Sequence, residues 1–356
     1  MKQLRLVLFS IVMIVAAVSL VIFSSCDSSG ELLAGTLYVG GYSTDKVYVV
    51  DVEKKEVVQT IDLPAGVQPD WLTLSPDATK LFCSAINLYQ VHVIDTTTNT
   101  YVDAVNVCES PKGIAFTPDG SIAAVVQEFD ISLIDVGTLT YNNDPSDTID
   151  GVRGTGGIAI HPTLNKLYLP GKDFPTSTIN QVFTSDIVGN ATPVGYTIVH
   201  SSNLRDVEIT ADGSILFVSG VGTIDVIHFL DLITSDGSIH SHISKDMEHI
   251  RSDNDYSGKM GLIPDNTKLY IGAYSSAMLD YIELSNIATR ESIDLADYTN
   301  LGTGPRDIAF SPGSSYAFVL IDGTDDLIII LKTSDDSVID TISLPNCDPR
   351  SLVYKP

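Results

Sequence analysis

The sequence predicts an all-β fold that is built from one repeated unit of short strands. The first observation is a short apolar strand closed by a proline turn, as in residues 111–120, PKGIAFTPDG. The second is a strand of the Leu-Tyr-Val type that follows each of these turns except the last. A period of forty to fifty residues made of short strands is typical of a β-propeller with one four-stranded blade per repeat. The anchor residue of the turn lies 42 to 53 residues from the next, at Pro76, Pro118, Pro162, Ala211, Pro264, Pro312 and Pro356.

The number of strands predicts how the propeller closes. Strands of the Leu-Tyr-Val type start near residues 37, 81, 123, 167, 216, 269 and 317, which gives seven units. The chain begins with such a strand and ends with an innermost strand, so the first blade lacks its own innermost strand. Residues 350–354 can supply it. We therefore predict a seven-bladed β-propeller over residues 36–356, closed by the C-terminal strand pairing with the N-terminal blade.

Each unit continues in the same order after its anchor residue. In the first complete copy, residues 80–83 form the second strand, residues 90–95 alternate as the third, and residues 101–107 form the fourth. Two units are longer than the rest. The fourth unit has an insertion at residues 170–180, after its second strand. In the fifth unit, residues 232–258 form an outer strand and a polar loop. Loops longer than a repeat requires often carry function.

The N-terminus predicts export from the cytoplasm. Lys2 and Arg5 precede an apolar run over residues 6–23, and Cys26 follows two serines. A positive start, an apolar segment and small residues are typical of a signal peptide. We predict a lipoprotein signal peptide over residues 1–25 and a lipidated tether over residues 26–35. The alternative is an uncleaved anchor helix. Both place the propeller outside the cytoplasm, tethered to a membrane.

The repeat resembles that of YVTN-repeat propellers, whose blade runs roughly LYV, VxVID, VxxTI and PxGIAxSPDG. With the N-terminal signal, the chain is similar to bacterial propeller lipoproteins of Bacteroidetes. Some of these capture cobalamin for an outer-membrane transporter. The resemblance implies an extracytoplasmic protein of the outer membrane or cell surface. It also implies a partner that is a small molecule, such as a corrinoid or glycan, or a surface or transport protein.

The charge and the cysteines exclude several classes of protein. The chain has 20 basic and 45 acidic residues, a formal net charge of −25. A surface this acidic repels phosphate backbones, so nucleic-acid binding is disfavoured. Three cysteines remain after Cys26, without a Cys-x-x-Cys motif, which argues against a disulfide framework and a zinc site.

The loops that enter the innermost strands carry the candidate ligand-binding residues. Cations recur six residues before the anchor or close to it, at Lys112, Arg153, Arg205, Lys259, Arg306 and Arg350. Aromatic residues are expected on the same face, at Tyr42, Trp71, Tyr89 and Tyr274. Converging cations favour an anionic or polar group, and aromatic surface suits a planar or sugar-like ligand. The alternative is structural: the cations pair with acids such as Asp206 and Asp307, and the aromatics pack.

Two further features allow more than one interpretation. Glu208 occupies a position of the innermost strand where most repeats have a small residue, so it either faces a wet central channel or contacts a ligand or ion. His240 and His242 share a face of an outer strand and could bind a metal with His249, although exposed histidines are commoner there. We predict no metal site.

The sequence carries no motif of a known catalytic class: GxSxG, HExxH and a P-loop are all absent. We therefore predict a non-catalytic binding lipoprotein without a cofactor, whose ligand or partner binds at the channel mouth of the propeller. Two alternatives stay open. One is a lactonase- or hydrolase-type propeller enzyme that uses Glu208 and the arginines. The other is a structural protein-interaction scaffold at the cell surface.

Overall fold

The computed structural model describes residues 33–141, 148–150, 152–154, 156–164, 166–172, 180–187, 194–197, 202–213, 215–221, 227–234, 239–246, 257–273, 277–286, 290–298 and 304–356. The predicted signal peptide and Cys26 lie outside the described residues. In the part of the chain that is described, no helix has the length and apolar character needed to cross a membrane.

The described strands form seven antiparallel sheets, which we number 1 to 7 in chain order. Sheet 1 contains β1 (Thr36–Gly41), β2 (Lys46–Asp51) and β3 (Glu56–Asp62). Sheet 2 contains β4 (Trp71–Leu74), β5 (Lys80–Ala85), β6 (Gln90–Asp95) and β7 (Thr100–Asn106). Sheet 3 contains β8 (Ile114–Phe116), β9 (Ile122–Val126), β10 (Asp130–Asp135) and β11 (Thr148–Asp150). Sheet 4 contains β12 (Arg153–Gly154), β13 (Ala159–Ile160), β14 (Lys166–Lys172), β15 (Asn180–Asp186) and β16 (Val194–Thr197). Sheet 5 contains β17 (Ser202–Ile209), β18 (Ile215–Val221), β19 (Ile227–Thr234) and β20 (Ile239–Asp246).

Sheets 6 and 7 complete the series, and the last strand returns to sheet 1. Sheet 6 contains β21 (Ser257–Leu262), β22 (Lys268–Ala273), β23 (Met278–Glu283) and β24 (Arg290–Asp294). Sheet 7 contains β25 (Pro305–Phe310), β26 (Tyr316–Ile321), β27 (Leu327–Lys332) and β28 (Ser337–Ser343). The C-terminal strand β29 (Pro349–Lys355) is the fourth strand of sheet 1. Two short 3-10 helices, Ile86–Leu88 and Leu284–Asn286, lie between strands.

The architecture is an all-β propeller with four-stranded blades. Six of the sheets have four strands, ordered from the inside outward as in the predicted blade. Sheet 4 departs from the prediction, because it has five strands. Its inner edge is split between β12, which pairs with Gly171 and Lys172, and β13, which pairs with Leu167 and Tyr168. Residues 170–172, predicted as inserted loop, instead lengthen β14 and provide the edge on which β12 pairs.

The inner edge of sheet 1 is supplied by the other end of the chain. Strand β29 pairs antiparallel with β1, with Leu352 opposite Val39 and Tyr354 opposite Leu37, as the strand order predicted. Leu352 is buried, and the Tyr354 ring stacks on Phe318 of sheet 7 at 5.4 Å between centroids. Pairing with β29 leaves β1 without an open edge.

The core lies between the faces of neighbouring sheets. Apolar clusters fill the spaces between sheets 1 and 2, 2 and 3, 3 and 4, 4 and 5, 5 and 6, and 6 and 7. A further cluster joins sheets 7 and 1, where Leu37 and Val39 pack with Phe318 and Ile330. The second and third strands of a sheet, such as β5 and β6, are therefore buried on both faces, one against each neighbouring sheet.

The tyrosine of the Leu-Tyr-Val strand connects one sheet to the next. Tyr38 of sheet 1 donates a hydrogen bond to Oδ1 of Asn99 in sheet 2, at 2.6 Å. Tyr270 of sheet 6 donates to Oδ1 of Asp336 in sheet 7, at 2.5 Å. Both acceptors lie in the turn between the third and fourth strands of the following sheet. A ring buried in the core thus places its hydroxyl where the neighbouring turn needs a donor.

The proline turns are held by hydrogen bonds to an aspartate. In sheet 2, Ser75 donates to Oδ1 of Asp77 at 2.6 Å, and the Thr79 amide donates to the same oxygen at 3.0 Å. Sheet 3 repeats the arrangement, with Thr117 donating to Oδ1 of Asp119 at 2.6 Å. These hydrogen bonds lower the pKa of both carboxyl groups to about 2. The aspartates of the repeat are therefore structural acceptors.

We expect these turns to make stability depend on acid pH. Because the folded-state pKa of Asp77 and Asp119 is depressed, their contribution is complete above the unfolded value of 3.8 and is lost as the pH falls through about 2. A double variant, Asp77→Ala with Asp119→Ala, should melt below the parent at neutral pH. The difference in melting temperature should shrink between about pH 4 and pH 2. A difference that stays constant over this range would contradict the assignment.

Candidate functional site

Side chains from the innermost strands meet at one end of the propeller. We call this end the channel mouth and define it by the residue five positions before the anchor in five repeats. These residues are Trp71, Asp206, Lys259, Asp307 and Ser351. The innermost strands of consecutive sheets contact one another, which brings these side chains together although they are far apart in sequence.

Two carboxylates at the channel mouth join one innermost strand to the next. Oδ2 of Asp206 accepts a hydrogen bond from the Met260 amide at 2.9 Å. Oδ2 of Asp307 likewise accepts from the Leu352 amide at 2.9 Å. In each case Oδ1 accepts from the amide of the residue that follows in its own strand, at 3.0 Å for Asp206 and 2.9 Å for Asp307. These acids are therefore held in fixed positions by backbone donors.

Sheets 3 and 4 place glycine at the same position. The Gly113 amide donates to the Gly156 carbonyl at 3.2 Å, and the Gly157 amide donates to the Arg205 carbonyl at 3.0 Å. A Cβ on Gly113 would lie 2.7 Å from the Gly156 carbonyl oxygen, so a side chain there would force the two backbones apart. Close backbone contact replaces the side-chain hydrogen bond on this side of the propeller.

Lys259 extends from sheet 6 across the innermost strands of sheets 7, 1 and 2. Its Nζ donates to Oδ2 of Asp307 and to Oγ of Ser351, at 2.8 Å each. The same Nζ lies over the Trp71 ring, 3.7 Å from its centroid. Oγ of Ser351 also donates to Oδ2 of Asp307 at 2.8 Å and accepts from the Leu72 amide at 3.1 Å. One ammonium group thus contacts three other sheets.

The channel mouth holds more acid than the cation pattern indicated. Glu208 lies two residues after Asp206, so both side chains project from the same face of β17. Burial raises the pKa of Glu208 well above its usual range, and the charges of Asp206 and Asp307 raise it further, against the effect of Lys259. Burial also raises the pKa of Asp70, which the cations Lys259, Arg350 and Arg306 oppose.

Two of the predicted cations are paired with acids beside the channel mouth. Arg306 donates from Nε to Oδ2 of Asp322 at 2.8 Å, and its Nη2 contacts the same carboxylate. Arg350 donates from Nη2 to Oδ2 of Asp348 at 2.9 Å, and its guanidinium lies 4.6 Å from the centroid of the Tyr42 ring. The structural alternative anticipated that the cations pair with acids, and it named the acid of the Lys259–Asp307 pair. Asp322 and Asp348 were not anticipated, because they lie in loops outside the repeated position.

The remaining predicted residues are more dispersed. Lys112 donates from Nζ to the Gly154 carbonyl at 3.0 Å, and Tyr89 is an exposed loop residue of sheet 2. Arg205 is partly buried, next to Asp206. The backbone of Arg153 pairs in β12, but its side chain and the whole of Tyr274 lie outside the described part of the structure. The structure therefore brings together Trp71, Lys259 and Glu208, with Arg306, Arg350 and Tyr42 at their border.

The histidines predicted as an alternative metal site are only partly described. His242 lies opposite Asp231 in sheet 5, and His240 falls at a register shift between β19 and β20. The side chains of both, and the whole of His249, are outside the described residues. Among the described side chains, no group of three histidine, cysteine, aspartate or glutamate residues is arranged to hold a metal ion.

Comparisons with known proteins show the fold. No family model matches the chain, and no curated protein matches it. Hydrazine synthase from Kuenenia stuttgartiensis is similar in structure, with a TM-score of 0.68, 20% identity, and coverage of 87% of this chain and 92% of that one. A hypothetical selenium-binding protein from Sulfolobus tokodaii has a TM-score of 0.71, 10% identity, and coverage of 90% and 93%. A periplasmic gluconolactonase from Pseudomonas aeruginosa has a TM-score of 0.67, 15% identity, and coverage of 90% and 99%. At these identities the likeness concerns the propeller fold alone.

Proposed function

We propose that the chain is a non-catalytic binding protein that captures a small polar ligand at the channel mouth. The observation that carries this proposal is the position of Lys259. Its ammonium group lies against Trp71, Asp307 and Ser351 in a place where four sheets converge. An aromatic face beside fixed hydrogen-bonding groups is the composition of a small-molecule site.

The proposal includes a closed ring in which all seven sheets act as blades. The pairing of β29 with β1 and the apolar cluster between sheets 7 and 1 support it, because they join the two ends of the series. Sheet 4 takes its place as a blade whose innermost strand is interrupted between Gly154 and Ala159. A closed ring gives the channel mouth a rigid border, so little conformational entropy is lost when a ligand binds.

A ligand screen tests the binding proposal. The purified protein is heated with members of a library of sugars, amines, carboxylates and corrinoids, and the melting temperature is compared with that of the unliganded protein. A ligand that binds only the folded state raises the melting temperature with increasing concentration. Trp71→Ala should abolish this shift while the protein still folds. Tyr89→Ala, which changes an exposed aromatic residue that is not among the contacts of Lys259, is the matched control. Ligands that stabilise the parent and Trp71→Ala equally would contradict the proposed site.

We also propose that the protein is held outside the cytoplasm by a lipid on Cys26, on the outer membrane or cell surface. This proposal is supported by the sequence of residues 1–26, in which positively charged residues come first, an apolar segment follows, and a cysteine comes last. Such anchoring suits a protein that passes its ligand to a surface or transport partner.

The anchor can be tested with the single change Cys26→Ala in the full-length chain. We expect a longer precursor that is neither cleaved nor labelled with fatty acid, because the thiol that carries the lipid is missing. Cys108→Ala, which changes an exposed cysteine of the propeller, is the control and should be processed normally. Identical mass and processing of parent and Cys26→Ala would support the anchor helix instead.

Glu208 favours one second candidate, a hydrolase. Burial and the charges of Asp206 and Asp307 raise the pKa of Glu208, which is the direction of shift that a general acid requires. If the protein hydrolyses lactones, Glu208→Gln should remove the activity while leaving the melting temperature close to that of the parent. Activity that survives in Glu208→Gln would exclude this role.

A further inference from the structure

The surroundings of the Lys259 ammonium group have the composition of an amine-binding site. The ammonium has one carboxylate, one hydroxyl and one aromatic face around it, from Asp307, Ser351 and Trp71. Tryptophan is the best aromatic partner for a cation, and a carboxylate gives a charge-assisted hydrogen bond. These three groups belong to sheets 7, 1 and 2, whereas the ammonium arrives from sheet 6.

Hydrogen bonds that do not involve Lys259 hold Asp307 and Ser351, and Trp71 packs against the apolar cluster between sheets 2 and 3. Asp307 accepts from the amides of Ile308 and Leu352 and from the Ser351 hydroxyl. Ser351 in turn accepts from the Leu72 amide. Removal of the lysine side chain would therefore leave a preformed site. Lysine reaches it through a flexible four-carbon stem, which can move away without disturbing an innermost strand.

The charges around the site favour a cation as its occupant. Asp206, Glu208 and Asp70 all interact electrostatically with Lys259, in addition to its direct partner Asp307. The two neighbouring arginines, Arg306 and Arg350, have acid partners of their own. A ligand anion would meet this excess of carboxyl groups, whereas a ligand ammonium would replace one positive charge with another.

We infer that the channel mouth recognises a primary ammonium group and that Lys259 occupies this site when no ligand is bound. A ligand with an ammonium group on an unbranched carbon chain displaces the Lys259 side chain and takes over its contacts with Asp307, Ser351 and Trp71. This inference specifies the ligand class of the proposed binding function and rests on that function for its biological role. The geometry of the ammonium site does not depend on it.

The test uses Lys259→Ala and n-propylammonium chloride as the probe. The alanine keeps the Cβ, so n-propylammonium matches the three carbons and the nitrogen that the substitution removes. Trp71 is the single tryptophan of the chain, so tryptophan emission reports directly on this site. The controls are n-propanol, which has the same length without the charge, and sodium chloride at equal ionic strength. Lys112→Ala removes a lysine whose Nζ contacts a backbone carbonyl, and it is the matched variant.

We expect Lys259→Ala to melt below the parent, and n-propylammonium to restore part of the loss and change Trp71 emission in a saturable way. Neither n-propanol nor salt should do so, and Lys112→Ala should show no comparable rescue. The parent should require at least about tenfold more n-propylammonium for the same emission change, because its tethered ammonium competes at a high effective concentration. If Lys259→Ala does not fold, the change in Trp71 emission that n-propylammonium causes in the parent protein tests the inference by itself.

The inference is overturned if n-propylammonium changes Trp71 emission in neither protein, or if n-propanol acts equally well. These outcomes are distinct from failure of the proposed function. Rescue of Lys259→Ala without any hit in the ligand screen would support the ammonium site and contradict a binding role. Screen hits that lack an amine yet depend on Trp71 would support the binding role and contradict this inference.

Discussion

Deletion of residues 350–356 is expected to abolish cooperative folding of the propeller. The deletion removes nearly all of β29, which forms the inner edge of sheet 1 and packs between sheets 7 and 2. Burial of a large side chain such as Leu352 or Tyr354 contributes about 1.5–3 kcal/mol. The deletion also removes the hydrogen-bond ladder with β1, and whole domains are stable by only about 5–15 kcal/mol. Circular dichroism during heating should show no sharp transition, and gel filtration should show aggregates.

Deletion of Pro356 alone is the matched control for this experiment. Pro356 is exposed and lies after the last pair of the ladder, so its loss should leave the melting temperature unchanged. If the chain without residues 350–356 melts like the parent, β29 does not close the first sheet in solution, and the ring proposed for the seven sheets is not correct.

Asp307→Ala is expected to be the most destabilising single substitution at the channel mouth. Asp307 is buried and accepts hydrogen bonds from two backbone amides, the Ser351 hydroxyl and the Lys259 ammonium. Removing one partner of a buried ion pair typically costs about 3–5 kcal/mol, because the other charge stays buried without compensation. The melting temperature should fall by many degrees. The emission of Trp71 should change as well, since Lys259 loses the partner that holds it over the ring.

Two further variants show how much of the loss of stability comes from the charge of Asp307 and how much from the burial of its ion pair. Asp307→Asn keeps the size of the side chain and one acceptor oxygen, so it should cost less than alanine but more than a surface change. Asp62→Ala breaks the exposed pair between Asp62 and Lys46 and should leave the melting temperature nearly unchanged. Equal melting temperatures for the parent and Asp307→Ala would show that the ion pair with Lys259 is not formed in solution.

The strands were predictable because their signal is local. The alternation in a strand such as β6 and the turn residues after it are contained in ten or so consecutive residues, and the repeat shows them several times. Sheet 4 was not predicted in full. Its β12 pairs with the extension of β14 at residues 171 and 172, and pairing of two such short segments depends on tertiary contact rather than on local pattern.

The candidate site was predictable in its position but not in its electrostatics. The repeat places Lys259, Arg306 and Arg350 on one face, which the sequence indicated. It does not indicate that Asp322 and Asp348 approach the two arginines from other loops, or that Lys259 reaches Ser351, 92 residues away. The electrostatic effect of a cation at a repeated position can be judged only when its acidic partners are known. The signal available in the sequence was the polar residue five before the anchor, which includes both Asp206 and Asp307.

The hydrogen bond from the Tyr354 hydroxyl to the Ala34 carbonyl joins residues 320 positions apart. During synthesis the N-terminal strands leave the ribosome first, and at about 5–20 residues per second the last strand follows on the order of tens of seconds later. Throughout that interval β1 has a free edge that can pair with any extended segment it meets. Contacts of such long range also form slowly once the chain is complete. Until β29 has emerged, this edge of β1 is therefore a place where the nascent chain can pair with another chain.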